Sequence, residues 1–261
     1  AGVADDVTVS LGARLPLLMD NVLADYVHGD GGLGGSLFPD TGIKSGDRHA
    51  ADVIVDAARK NPGEHTLVCI APLTNVALAL RKEPELNELL DAVWVMGGNV
   101  NCLGNVTPAA EYNFWVDPDA AKMVLNELDV TLFDWGLTRR DTVFDADILD
   151  RIEAIDTPYA DFYTEITTRV RAFNRESFGE DVTTQPDSAV VAGLIDPDML
   201  EESHTYHVDV DDREGLTRGY SAVDEDGVGD GDPRTEVVES LDSEGFRAMF
   251  VRMLEDGNPD P

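Results

Sequence analysis

Residues 65–98 read HTLVCIAPLTNVALALRKEPELNELLDAVWVMGG. The first eight, HTLVCIAP, form a short apolar run closed by Pro72, the signature of a buried strand. LTNVALALRK (73–82) follows with helical spacing, Thr74 near its start. AVWVMGG (92–98) is a second buried strand, closed by two glycines. Strand, helix and strand in this order predict a parallel βαβ unit. Working outward, AADVIVDAARK (50–60) reads as a helix before the first strand. DPDAAKMVLNE (117–127) reads as a helix with proline and acids in its first turn, where both are favoured, and VTLFDW (130–135) as a third strand. After residue 140 helices dominate, over 156–176 and 187–194. Strands near 205–210 and 235–238 precede a closing helix at 243–255. The expectation is an α/β fold, an open, mostly parallel sheet flanked by helices, with 1–261 as one domain; no repeat or long linker divides it.

Charge is the extreme bulk feature. The chain carries 52 acidic and 19 basic residues, a net charge of −33. The acids are spread along the chain, so they are not an acidic tail. Such a field repels nucleic acid and anionic membrane, and it self-repels unless salt screens it. This implies a high-salt cytoplasm. Disorder is excluded by the 43% hydrophobic content and the periodicity. No run reaches the ~18 apolar residues of a membrane span. Two cysteines, Cys69 and Cys102, fit a reducing compartment and no disulfide framework.

Sites in open α/β sheets form beyond the carboxyl ends of the strands. That rule points to Pro72–Thr74, to Met96–Gly98 with the loop behind it, and to Asp134–Thr138. The loop behind Gly98 contains GNVTPAAEYNFWVDPDAA (104–121). Its Asn105, Glu111 and Asn113 offer the amide and carboxylate groups that bridge vicinal hydroxyls of a sugar, and Tyr112, Phe114 and Trp115 can wall a pocket. The bland reading is a helix entry, with Asn113 or Asp117 as the cap. VHGDGGLGG (27–35) lacks the context of a phosphate loop but could carry His28 over a pocket. In TTQPDSAVVA (183–192), Asp187 reads either as a helix N-cap or as a metal carboxylate. DEDGVGDGD (224–232) fails the calcium-loop register and reads as a solvated hairpin loop.

Taken together, VHGDGGLGG, APLTNVALAL (71–80), VWVMGGNV (93–100), GNVTPAAEYNFWVDPDAA, PDSAVVAGLIDP (186–197) and GLTRGYSAVD (215–224) resemble the inosine–uridine preferring nucleoside hydrolase family, in order and spacing. The resemblance implies hydrolysis of a ribonucleoside to ribose and free base through a Ca²⁺-activated water, in nucleoside salvage. It implies that the backbone carbonyl of Thr74 and the carboxylate of Asp187 are calcium ligands. It implies that Asn105, Glu111 and Asn113 hold ribose hydroxyls, that Met96 lies under the sugar, and that His28 is a pocket histidine near the ribose or base and the catalytic candidate. It further implies a small-molecule nucleoside as partner and a homodimer or homotetramer.

Two departures temper this. The family's D-x-D-P-G-x-D-D run, which supplies further calcium ligands and the general base, has no match, so an N-terminal segment is expected to be missing and this chain alone to be weakly active. Pro186 stands where many members carry a histidine that protonates the leaving base. The alternative expectation is a degenerate member that binds nucleoside or ribose without efficient turnover. Gly136, where an aspartate is common, is a smaller departure.

Overall fold

A computed structural model of the chain describes residues 7–35 and 43–256. Among the described residues the first helix is the short α1 (Asp25–His28), followed by α2 (Ala50–Lys60), strand β1 (Thr66–Cys69), α3 (Thr74–Lys82), α4 (Leu86–Leu89) and β2 (Ala92–Met96). Next come α5 (Tyr112–Val116), α6 (Pro118–Glu127), β3 (Val130–Phe133), α7 (Trp135–Asp141) and β4 (Val143–Phe144). Then follow α8 (Ala146–Glu153), α9 (Pro158–Phe178), β5 (Thr183–Thr184), α10 (Pro186–Ile195) and β6 (Leu200–Val210). β7 (Ser221–Asp224), β8 (Thr235–Leu241) and α11 (Ser243–Asp256) complete it.

The main sheet runs in the order β1-β2-β3-β8-β6-β7. β1, β2, β3 and β8 run parallel to one another, while β6 and β7 join antiparallel at one side. This is the expected α/β fold. The register aligns Cys69 with Val95, Met96 with Phe133 and Leu132 with Val237. The carboxyl ends of the first three strands therefore share one edge. Among the described residues β1 pairs with β2 alone, so it closes the sheet on its outer side, with Leu67 and Val68 half-buried and Ile70 45% exposed.

Side chains alternate along the strands and divide the core in two. Val93, Val95, Leu132 and Val237 face α2, α3 and α6 through Val55, Leu80, Val124 and Leu125. Met96, Phe133 and Val238 face α7 to α11 through Leu137, Leu149, Val190, Phe246 and Phe250. Each fully buried aliphatic or aromatic side chain contributes roughly 2 kcal/mol of transfer free energy. Helices therefore cover both sheet faces, as a near-continuous apolar strand sequence requires. Local signals set their ends. Thr157 caps α9 by accepting from Ala160, Pro158 occupies its first turn, and Gly179 ends it at φ +74°.

Three expectations need correction. The first strand stops at Cys69 instead of running to Pro72, because the chain turns at exposed Ile70 to start α3. The second stops at Met96, since Gly97 and Gly98 bend away at the sheet edge. The acidic loop 224–232 is not a hairpin. β7 pairs with β6, so the loop crosses past β6 to reach β8. Its order comes from the Asp224 carboxylate, which accepts from the N–H groups of Val228 (2.8 Å) and Gly229 (2.7 Å).

Candidate functional site

The site grows from the end of β2. Gly97 and Gly98 lie flat against the ring of Phe114: a Cβ on Gly97 would come 2.4 Å from it, and one on Gly98, at φ +70°, 2.7 Å. Only glycine permits this approach. It brings the Gly98 N–H to the Glu111 carboxylate at 2.9 Å. Glu111 is 2% exposed and caps α5, also accepting from Asn113 N (2.9 Å) and Phe114 N (3.3 Å). The half-polar, half-aromatic stretch 104–121 thus contains a short helix of its own. Asn113, one of the two residues weighed as a cap for α6, does not cap it; Asp117 does, accepting from Ala120 N at 3.2 Å. Asn113 is turned to β2, donating from Nδ2 to the Met96 carbonyl (3.1 Å) and lying 3.4 Å from its Sδ.

Asp187 is not the N-cap of α10. That position belongs to Gln185, and Asp187 follows Pro186 inside the first turn. Its carboxylate is half-buried and accepts no hydrogen bond among the described residues. Burial raises its pKa to about 6. Burial raises Glu111 to about 7 against the pull of its three backbone N–H donors, and the Asp187 charge pushes it up further. The Asp187 charge thus lies within electrostatic reach of Glu111, and such paired carboxylates are a common mark of a functional site.

The remaining candidates make no hydrogen bond to the carboxylates of this pair among the described residues. Thr74 opens α3 and donates from Oγ1 to Asp117 Oδ2 at 2.5 Å. Asp117 follows the last residue of α5, so Thr74 sits at the other end of that helix from Glu111, about 9 Å along its axis at 1.5 Å per residue. Asn105 is exposed at the rim, its Oδ1 accepting from Tyr112 N at 2.9 Å. His28 ends α1 and is exposed; partial desolvation lowers its pKa, and it makes no hydrogen bond or charge contact with Glu111, Asn113 or Asp187 among the described residues. The chain just ahead of its helix is nonetheless tied to the site. Tyr112 Oη donates to the Val22 carbonyl at 2.6 Å, and burial raises the Tyr112 pKa, with the charges of Asp25 and Glu111 adding to it. Of the glycines behind His28, Gly34 lies on α9: a Cβ there, at φ +68°, would meet the Ile166 carbonyl oxygen at 2.9 Å.

Three residues assigned no individual role from sequence hold the site in place, of which Asp134 opens a segment to which the strand-end rule points. Asn99 is 1% exposed; its Oδ1 accepts from Glu111 N (3.2 Å) and its Nδ2 donates to the Cys102 carbonyl (3.0 Å). Asp134 caps α7 and accepts from Val100 N (2.5 Å), Gly136 N (2.8 Å) and Leu137 N (2.8 Å). The loop behind β2 is pinned between them. A side chain at Gly136 would press on the Val100 carbonyl oxygen and the Asp134 carboxylate, both at 2.9 Å, so an aspartate there needs a different local backbone. Gln185 donates to Tyr163 Oη (2.7 Å) and Thr183 Oγ1 (2.9 Å), anchoring the residue before Pro186 and Asp187 in a buried polar network. Asn99 follows the double glycine directly, and Gln185 precedes Pro186–Asp187; that adjacency was the only sequence signal.

The described helices include none long and apolar enough to cross a membrane. The family model described as inosine-uridine preferring nucleoside hydrolase matches residues 1–248. The pyrimidine-specific ribonucleoside hydrolase RihA of Enterobacter sp. (strain 638) is 33% identical over 251 residues, 95% of this chain and 79% of that protein. RihB of Escherichia coli O157:H7, also named pyrimidine-specific, is 31% identical over 242 residues, 92% of this chain and 76% of its own. Among solved structures, a plant nucleoside hydrolase superposes with a TM-score of 0.89 at 26% identity, covering 96% of this chain and 81% of that one. A purine-preferring ribonucleoside hydrolase from Gardnerella vaginalis superposes at 0.87 and 27% identity, covering 96% and 80%.

Proposed function

The chain belongs to the inosine-uridine preferring nucleoside hydrolase family and is a nucleoside N-ribohydrolase; from that premise we propose that Glu111, Asn113, Met96 and Asp187 form the pocket where ribose is gripped and released from its base. The observation that carries the reading is Asp187, a half-buried carboxylate with no hydrogen-bond partner among the described residues, within electrostatic reach of buried Glu111. A carboxylate in that state is a ligand in want of a cation or a hydroxyl.

The donor chemistry fits Ca²⁺, which takes several hard oxygens. Asp187 and the backbone carbonyl of Thr74 would hold it. Bound there, Ca²⁺ supplies polarisation of an attacking water and a grip on the vicinal ribose hydroxyls. The chain's own part is positional. Glu111 accepts from ribose hydroxyls, its carboxylate fixed by three backbone donors. Asn113, held against the Met96 carbonyl, presents its amide oxygen to the same sugar. Asn105 closes the rim, Met96 lies under the ring, and His28 on α1 stands on the side of the base. The protein works as a homodimer or homotetramer in a high-salt cytoplasm, the setting the −33 charge favours.

One observation favours a second reading, binding without efficient turnover: Pro186, next to Asp187, has no proton to give the departing base. Reducing-sugar release from uridine and from inosine, with Ca²⁺ and after chelation, separates the two. The hydrolase reading expects calcium-dependent release that falls at least a hundredfold in Asp187→Asn. Release untouched by chelation and by Asp187→Asn would overturn the assignment of Asp187. Calorimetric binding of nucleoside without release would establish the second reading, and Pro186→His should then raise kcat.

A further inference from the structure

Away from the nucleoside pocket, the described residues hold one cluster with the make-up of a metal site. Glu202, His204 and Glu239 each offer a ligand atom, and these atoms lie within 4.8 Å of one another. Glu202 and His204 are two apart on β6. Glu239 belongs to the neighbouring strand β8, where the pairing passes from Glu202↔Ser240 to Ser203↔Val238. Glu239 is therefore the extra residue of a β-bulge, and a bulge re-aims the side chain it carries. Here it is aimed at His204, whose Nδ1 lies 3.2 Å from Glu239 Oε1. The bulge is fixed from outside by Arg140, which donates from Nη2 to the Glu239 carbonyl oxygen.

We propose that Glu202, His204 and Glu239 bind one divalent transition-metal ion of the zinc type, clamping β6 to β8. Ligands of a tetrahedral zinc at ~2.0–2.2 Å stand roughly 3.4 Å apart, so side-chain rotation alone closes the cluster on an ion. Tyr206 supplies the outer support such a site needs. Its Oη donates to Glu239 Oε1 at 2.7 Å, orienting the carboxylate. Its ring stacks with the His204 imidazole, centroids 6.0 Å apart and planes at 26°. The imidazole selects the ion class: Ca²⁺ and Mg²⁺ prefer oxygen, whereas Zn²⁺, Co²⁺ and Ni²⁺ accept nitrogen with carboxylates. Water completes the coordination, since Glu202 and His204 are exposed.

Co²⁺ alone is the probe. Titrated into the full chain in the presence of excess Ca²⁺, it should bind one equivalent, broaden the His204 ring resonances before those of the other four histidines, and raise Tm. His204→Ala and Glu239→Gln should each weaken this binding at least tenfold, and Asp187→Asn should leave it unchanged. Binding of Co²⁺ to His204→Ala with wild-type affinity, or equal broadening of all the histidines in the wild-type chain, would reduce the cluster to an ordinary surface ion pair and overturn the proposal. The broadening experiment needs no variant, so a folding defect cannot mask the result.

Discussion

The carboxylate of Glu111 accepts three backbone N–H groups, yet burial holds its pKa near 7, against an ordinary 4.5. Desolvation outweighs the donors because the side chain is buried at the start of α5 beside the glycine pair. In the metal-free protein the folded state keeps this proton to about pH 7, whereas the unfolded chain releases it near 4.5. Between those values the folded state binds more protons, so this group's contribution to stability falls as pH rises, by roughly 3 kcal/mol in all. Glu111→Gln removes the titration. Urea unfolding in chelator at pH 5 and pH 8 should show the wild type losing more stability between the two than the variant does. Parallel losses in both proteins would refute the assignment. At Asn113 the expectation is different in kind. Asn113→Ala removes one donor to the Met96 carbonyl, a stability loss of about 1 kcal/mol, but on the proposed function it lowers kcat/KM tenfold or more. Steady-state kinetics beside urea unfolding separates the two effects.

Elements, not single side chains, decide whether those residues meet. The turn after β2 works because Gly97 and Gly98 let the backbone rest on Phe114. Gly97→Ala should cost about 1–3 kcal/mol by overpacking, and a Phe114→Leu background should recover part of it; additive losses in the double-mutant cycle would deny the contact. The sequence disclosed much of this architecture, since α2, α3, α6 and α10 and the strands carry periodicity, proline and glycine at their ends. It did not disclose α5. Five residues make no periodic pattern, and a glutamate is not among the preferred N-caps. The same physics explains the uneven reading of the site. As candidates, Met96 stood out by its place at a strand's carboxyl end, and Glu111 and Asn113 by a stretch too polar for core. Asn99 and Gln185 did not, because each spends its hydrogen bonds on backbone or buried hydroxyls, and an isolated polar residue leaves the same trace in a loop; Asp134 stood out by its place at a strand's end, but its capping role did not. Asp187 was ambiguous between cap and ligand; only the geometry showed Gln185 in the capping position.

On the scale of the whole molecule, electrostatics opposes compactness. Exposed ion pairs such as Arg48–Asp56 and Arg151–Glu255 add little individually, while a net charge of −33 repels itself throughout. Raising KCl from 0.1 to 1 M shortens the screening length from about 10 to about 3 Å. Tm should therefore climb by several degrees in KCl and much less in sucrose matched for osmolality; a flat or falling Tm would show that the charges are already balanced in place.

The asymmetry of the main sheet has a consequence in time. β2 and β3 are hydrogen-bonded on both sides, whereas β1, among the described residues, is bonded only to β2. Amide protons of Val95 and Leu132 can reach solvent only when the sheet's centre opens, an event close to global unfolding. Those of β1 need only the outer strand to peel away. Deuterium uptake should accordingly run as a gradient across the sheet, fastest at Thr66–Cys69 and slowest at β3, so that the clock of the molecule is read from one side of the sheet inward.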